Sequence, residues 1–139
     1  MSAIIIDGAA MARQVLDEQK IRAAQLARQG RVPGLAVVLV GDDPASAVYV
    51  RSKTRACREA GVQSFDTRLP AATAEAELLQ RIDALNADPR VHGILVQQPK
   101  PNQINEEAVL NAVPTTKDVD GFHPYNIGKL GMKNREPSC

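Results

Sequence analysis

The chain of 139 residues has no tryptophan, two cysteines and only four aromatic side chains, Tyr49, Phe65, Phe122 and Tyr125. With aromatics at 3%, the core is left to aliphatic residues. Neither sign of charge is in excess: Lys+Arg is 17 and Asp+Glu is 16, a net charge of +1. That balance argues against nucleic acid or an anionic membrane as the main partner. No long hydrophobic run exists either. The longest, Leu35 to Val40, is far too short to cross a bilayer. The opening MSAIIIDG has no basic segment and meets Asp7 at once, so it does not read as a signal peptide. Reduced thiols at Cys57 and Cys139 and a cytoplasmic location are therefore expected. The histidines are His92 and His123, and no Cys/His spacing suits zinc, so no metal site is expected. A glycine fingerprint of the G-x-G-x-x-G type is missing, so no cofactor-binding residue is expected in this chain.

The residues that are present suit one folded domain over residues 1–139, with 44% hydrophobic and 24% charged residues. Leu35–Val40 and Gly93–Val96 are apolar at every position, the pattern of strands covered on both faces of a parallel sheet. Gln63–Leu69 has Asp66 and Arg68 interleaved, which places it nearer an edge. Helical patterns separate these runs. One covers Ala9–Gln29 and stops at Gly30; a second covers Ala45–Ala60, after the turn signal Asp42-Asp43-Pro44, and stops at Gly61. A third covers Thr73–Asn86, with Thr73 as its N-cap and Leu78, Ile82 and Leu85 on one face. A fourth covers Asn105–Ala112, and a small strand at Ile4–Ile6 would precede them all. Alternation of this kind predicts a three-layer α/β fold, a mostly parallel sheet flanked by helices. Residues 113–139 are rich in proline and glycine and read as loop, with one short helix near Tyr125–Leu130.

Ligands of open α/β sheets bind beyond the carboxyl ends of the strands. Three segments lie there: the turn after Val40, Gln97–Pro101 after Val96, and Asp118–Asn126, where a fourth strand or a crossing loop belongs. On the second helix, Ala47, Val50, Thr54 and Cys57 share the face that should meet the sheet, and Arg51, Arg55 and Arg58 lie together in solvent. Lys53 flanks the buried face in one stripe with Ser46 and Tyr49, and Tyr49 is its i−4 neighbour. A lysine so placed either snorkels out along the tyrosine or is partly desolvated, and desolvation lowers a lysine's pKa toward the range useful for acid–base work. Gln97 ends an apolar strand, where a buried amide can hold a side chain or a substrate group; in water it is an ordinary loop residue. Pro99 and Pro101 stiffen the loop beyond it. Asp118-Val119-Asp120-Gly121 offers two carboxylates, either for a planar donor pair such as an amino-pyrimidine edge or for an Asx turn. Three of the four aromatics, Tyr49, Phe122 and Tyr125, fall in these segments, which suggests that a flat ring is bound.

Three stretches carry a resemblance: VGDDPAS-x-x-YV-x-x-K-x-x-x-C (Val40–Cys57), HGILVQ-x-P-x-P (His92–Pro101) and KDVDGFHPYNIGKL (Lys117–Leu130). In order and spacing they resemble the bifunctional methylenetetrahydrofolate dehydrogenase/methenyltetrahydrofolate cyclohydrolases of the FolD type, over essentially the whole chain. The resemblance implies NADP-dependent oxidation of methylenetetrahydrofolate and hydrolysis of the methenyl product to formyltetrahydrofolate, in one-carbon metabolism. It implies that Lys53 is the catalytic acid/base and that Tyr49 stacks on the folate. Gln97 would tune the lysine, and Asp120 would anchor the amino edge of the pterin. Ser46 and Pro99 count among the expected substrate contacts. Leucine is usual in that family where Gln98 and Lys100 stand, so a more polar loop floor is expected here. Family members are roughly twice as long, carry a Rossmann NADP domain and are typically homodimers. This sequence ends at Glu136-Pro137-Ser138-Cys139, about where that domain should begin, so the chain by itself is expected to bind folate but not NADP, and to lack hydride transfer. A folate-binding module without turnover is the alternative. The Tyr49-x-x-x-Lys53 pair also resembles that of short-chain dehydrogenases, but the glycine-rich loop those enzymes need is missing.

Overall fold

A computed structural model describes residues 5–132. The chain runs α1 (Gly8–Arg28), β1 (Gly34–Val40), α2 (Pro44–Ala60), β2 (Gln63–Leu69), α3 (Glu75–Ala87), β3 (Gly93–Val96), α4 (Glu106–Ala112) and α5 (Pro124–Leu130). The three strands form one parallel sheet in the order β2-β1-β3. The most apolar strand is central, and β2 with its polar alternation takes an edge, as its sequence predicts.

Alternate residues of β1 serve two cores. Ala36, Val38 and Val40 pack against Leu78, Ile82 and Leu85 of α3, Val109 of α4 and Ile94 of β3. Val37 and Leu39 face the other way, against Val50 of α2 and Leu95. This two-sided burial is why the run shows no polar alternation. At roughly 25 cal/mol per Å² of buried apolar surface, aliphatic side chains of this size stabilise the fold by about 1.5–3 kcal/mol each, so the sheet needs little aromatic surface beyond Phe65 of β2.

Local signals behave as their chemistry requires. The Asp43 carboxylate accepts the Ser46 N–H at 2.7 Å, with Pro44 at the first turn of α2. Gly61 ends α2 with a φ of 75°, a left-handed conformation that disfavours a side chain. Asn105 caps α4 by accepting the Ala108 N–H. His92 is a satisfied residue: its Nδ1 accepts the Gly34 N–H at 3.1 Å.

Two expectations fail. Thr73 is not the cap of α3: Ala74 holds that position with no side-chain hydrogen bond. The Thr73 N–H closes a turn onto the Pro70 carbonyl, which sets the residue one place too early and turns its side chain into the interior, where it is buried. The expected strand at Ile4–Ile6 is not formed by Ile5 and Ile6, which are irregular and exposed, and Ile4 lies outside the described residues. Among the described residues no strand pairs with them, and a strand without a partner leaves its backbone groups to water. In place of a fourth strand, the Asp118 segment makes a single parallel bridge to Ile94 beside β3.

Candidate functional site

The α2 wheel is observed as read. Val50 is buried, Ala47, Thr54 and Cys57 are half-buried, and Arg51, Arg55 and Arg58 are exposed. Lys53 stands at the margin, half-buried, and reaches the carboxyl end of β3. Its Nζ donates to Gln97 Oε1 at 3.0 Å and lies 5.7 Å from the centre of the Tyr49 ring.

Gln97 is held on both sides. Its backbone N–H donates to the Val38 carbonyl at 2.8 Å, continuing the β3 ladder by one residue. Its Nε2 donates to the Gln98 carbonyl at 2.8 Å. That second bond settles which end of the amide is which, because an NH2 group needs an acceptor and an ammonium needs one too. The oxygen must therefore face Lys53. An ammonium has three donors, and Gln97 takes one, so Lys53 retains two hydrogens for a ligand.

The two carboxylates of Asp118-Val119-Asp120 separate sharply. Asp118 is buried and forms the Asx-type turn: its carboxylate accepts the N–H groups of Gly121 at 3.1 Å and His123 at 2.9 Å. Burial pushes its carboxyl up, but hydrogen bonds from Asn126, His123, Phe122 and Gly121 outweigh that and hold it below the usual range. Asp120 is exposed and makes no such bonds among the described residues. Loss of surrounding water raises its pKa above the ordinary value of 3.8, Lys53 opposes the rise, and Asp118 adds to it.

Tyr49, 60% exposed, lies beside Lys53, and Phe122, 51% exposed, lines a hollow with Asp118 and Asp120, whereas Tyr125, 54% exposed, has the Lys129 ammonium over its ring at 5.1 Å. Phe65, the fourth aromatic, packs on the core instead. Large aromatic surface left in water next to convergent donors and acceptors suits a flat ligand.

Ser46 departs from the expectation of a substrate contact. It is 1% exposed, and its hydroxyl donates to the Gln98 carbonyl at 3.1 Å. It supports the loop from beneath because it lies one helical turn before Val50, on the buried side. That carbonyl takes both the Ser46 hydroxyl and the Gln97 amide. Pro99, after a cis Gln98–Pro99 peptide, is exposed on the loop. The loop floor is polar, as expected: Gln98 Nε2 donates to Glu106 Oε1 at 3.0 Å, and the Lys100 ammonium is buried with no hydrogen-bond partner among the described residues. Burial lowers the Lys100 pKa, and Glu106 partly offsets this.

Two residues of the Lys117–Leu130 stretch to which the sequence reading gives no role also matter. Asn126 is wholly buried and donates Nδ2 to Asp118 at 2.9 Å. Lys117 Nζ donates to the carbonyls of Leu85, Asn86 and Asp88 at the end of α3, at 3.3, 2.8 and 3.2 Å. One is an asparagine in a proline-glycine segment and the other a lysine before an aspartate, patterns that ordinarily mean solvated loop.

At the β1–α2 turn the Asp43 carboxylate accepts the Ser46 N–H at the start of α2, where a pyrophosphate would sit, so that turn does not fit the pyrophosphate of NADP. An apolar groove lies between α1 and α2, bordered by Val15, Leu26, Pro33 and Val62, and Lys53 does not line it.

Residues 6–120 match the family described as tetrahydrofolate dehydrogenase/cyclohydrolase, catalytic domain. A bifunctional protein FolD of Halalkalibacterium halodurans is 54% identical over 130 residues, which are 94% of this chain and 47% of that protein. One from Geotalea daltonii is 58% identical over 126 residues, 91% of this chain and 45% of the relative. The crystal structure of the bifunctional enzyme FolD from Campylobacter jejuni superposes with a TM-score of 0.88 at 43% identity, over 94% of this chain and 47% of that one. The Trypanosoma brucei enzyme, described as complexed with NADP cofactor and inhibitor, superposes at 0.93 and 35% identity, over 99% of this chain and 47% of that one. The chain thus spans just under half the length of these relatives.

Proposed function

Because the chain belongs to the tetrahydrofolate dehydrogenase/cyclohydrolase family, matching its catalytic domain, we propose that its site binds a reduced folate and hydrolyses the methenyl bridge. The observation that carries this is the Lys53–Gln97 bond, 3.0 Å long, with the amide oxygen fixed toward the lysine. Tyr49 offers a ring face for the folate, and Asp120 a carboxylate for the amino edge of the pterin.

The chemistry follows from those placements. Water adds to the methenyl carbon, forming a C–O bond. As the neutral amine, Lys53 takes a proton from the attacking water, and as the ammonium so formed it returns that proton to the ring nitrogen that leaves as the C–N bond breaks. Formyltetrahydrofolate results, with one proton released. Gln97 holds the lysine so that its remaining hydrogens point at the ligand, and acid–base assistance of this kind contributes about 10²–10⁴-fold. Oxidation of methylenetetrahydrofolate with NADP belongs to the whole enzyme in this reading, together with a homodimeric assembly and a cytosolic location.

Titration of the chain with 5-formyltetrahydrofolate, beside hydrolysis of methenyltetrahydrofolate followed by loss of its chromophore, tests the reading. Binding with turnover is expected. Binding without turnover leaves a folate-binding module, and neither removes both. A short-chain-dehydrogenase role is disfavoured because Tyr49 meets Lys53 with its ring rather than by a hydroxyl bond.

Asp120→Ala should weaken binding by about tenfold, the scale of a charge-assisted hydrogen bond. The same group predicts a pH dependence. A carboxylate that must be ionised to grip donors loses its hold as pH falls through its pKa, and that pKa is raised above 3.8. Affinity should therefore begin to fall at a higher pH than an ordinary aspartate would give, and Asp120→Asn should flatten the profile. An unchanged profile in the Asn variant rules Asp120 out as the anchor.

A further inference from the structure

Asp120 makes no hydrogen bond among the described residues that would hold it, yet it must stand within a few tenths of an ångström of its place to grip two donors at once. The groups that hold it lie beneath. Asp118, two residues earlier, is 6% exposed and Asn126 is 0% exposed. The Asp118 carboxylate takes three donors: Gly121 N at 3.1 Å, His123 N at 2.9 Å and Asn126 Nδ2 at 2.9 Å. These bonds close the loop on both sides of Asp120 and tie it to the first turns of α5. Asn126 Nδ2 also approaches the Thr115 carbonyl at 3.3 Å, at the near end of the same segment.

The loop is bolted to the sheet as well. The Lys117 carbonyl accepts the Ile94 N–H at 2.7 Å, and the Lys117 ammonium grips three carbonyls at the end of α3. Gly93 leaves room for this approach: a Cβ there would stand 2.4 Å from Val119 Cγ1, the residue between the two aspartates. So β3, which delivers Gln97, and the loop that delivers Asp120 are joined at adjacent residues.

We propose that Asn126 and Asp118 are positioning residues for ligand recognition, a buried carboxamide–carboxylate pair that sets where the Asp120 carboxylate stands relative to Lys53 and Gln97. This rests on the reading of Asp120 as the anchor of a donor pair on a folate-type ligand. It adds that the anchor acts only while the pair beneath it is intact. Losing the Asn126 donor leaves a buried charge short of a partner, and the loop relaxes to let water replace it.

A double-mutant cycle tests this with 5-formyltetrahydrofolate as probe, using the chain itself and its Asp120→Ala, Asn126→Ala and Asp120→Ala/Asn126→Ala variants. Asn126→Ala is expected to weaken binding about tenfold, as loss of one charge-assisted bond would. In the Asp120→Ala background the same change should cost less than about twofold, because the group it positions is gone. A merely structural role would weaken binding equally in both backgrounds, and that result overturns the proposal. Should Asn126→Ala fail to fold, Asn126→Ser keeps a hydroxyl donor in a smaller side chain and enters the same cycle. Amide exchange at Gly121 and His123 gives a second readout. Both should exchange faster in the Asn126 variant, and unchanged protection there also overturns the proposal. If Asp120→Ala binds as tightly as the parent chain, the anchor reading itself falls. If Asp120→Ala weakens binding and Asn126→Ala does not, only the positioning role falls.

Discussion

Lys53→Met should reduce hydrolysis of methenyltetrahydrofolate by about 10²–10⁴-fold, the full contribution of one acid–base group. Affinity for 5-formyltetrahydrofolate should stay within a few-fold. Methionine is close to the lysine stem in length, so the bulk of the side chain is kept while the ammonium, which stands 5.7 Å from the centre of the Tyr49 ring, is lost. The partner left behind is Gln97 Oε1, which is half-buried and can take a water in place of the amine. Fold and ring binding should therefore survive, and the loss should fall on the chemical step. Turnover within tenfold of the parent chain would remove Lys53 from the mechanism. A parallel loss of affinity would recast it as a binding group.

Gly34→Ala should be the most damaging single-methyl change in the sheet. Gly34 begins β1, and a Cβ there would stand 2.0 Å from the Arg90 carbonyl oxygen and 2.9 Å from the Phe65 ring. The first contact is with backbone, so no rotamer change relieves it. The carbonyl cannot retreat easily. Asp88 holds the Arg90 N–H and guanidinium, Lys117 holds the Asp88 carbonyl, and His92 binds the Gly34 N–H and carbonyl. Overpacking of this kind costs about 1–3 kcal/mol where side chains can shift, and more where they cannot. The melting temperature should drop by about 10 °C or more, taking several degrees per kcal/mol for a domain of this size. Gly128→Ala, in α5 with nothing within 4 Å of its added Cβ, should be neutral or slightly stabilising by the same measurement. Equal melting temperatures for the two variants would contradict the close approach at Gly34.

Much of this architecture is readable from residue order. Leu35–Val40 announces a central strand because burial on both faces removes the need for polar positions, and Gln63–Leu69 announces an edge because one face meets water. The wheel of α2 separates Val50 from Arg51, Arg55 and Arg58, and leaves Lys53 on the margin, where it is found. Thr73 shows the limit of such reading. A threonine before an acidic turn looks like a cap, but the turn from Pro70 displaces it by one residue and buries it.

Periodicity along one helix or strand is a local property, so backbone geometry and solvation write it directly into residue order. That is why the layers, the strand edges and the marginal place of Lys53 can be named from the chain alone, whereas the choice of Asp120 over Asp118 is what the resemblance implies. Which atoms meet is not local. Lys53 and Gln97 are 44 positions apart, and Asn86 and Lys117 are 31 apart. Asp118 and Asp120 are chemically identical, yet one is spent on backbone donors and Asn126 while the other stands exposed. Ser46 and Tyr49 share a stripe, but packing under the Gln98 carbonyl sends one inward and leaves the other in solvent. Only the folded chain apportions donors to acceptors in this way, because each buried polar group must find its partner in three dimensions or bear the cost of leaving water unpaired.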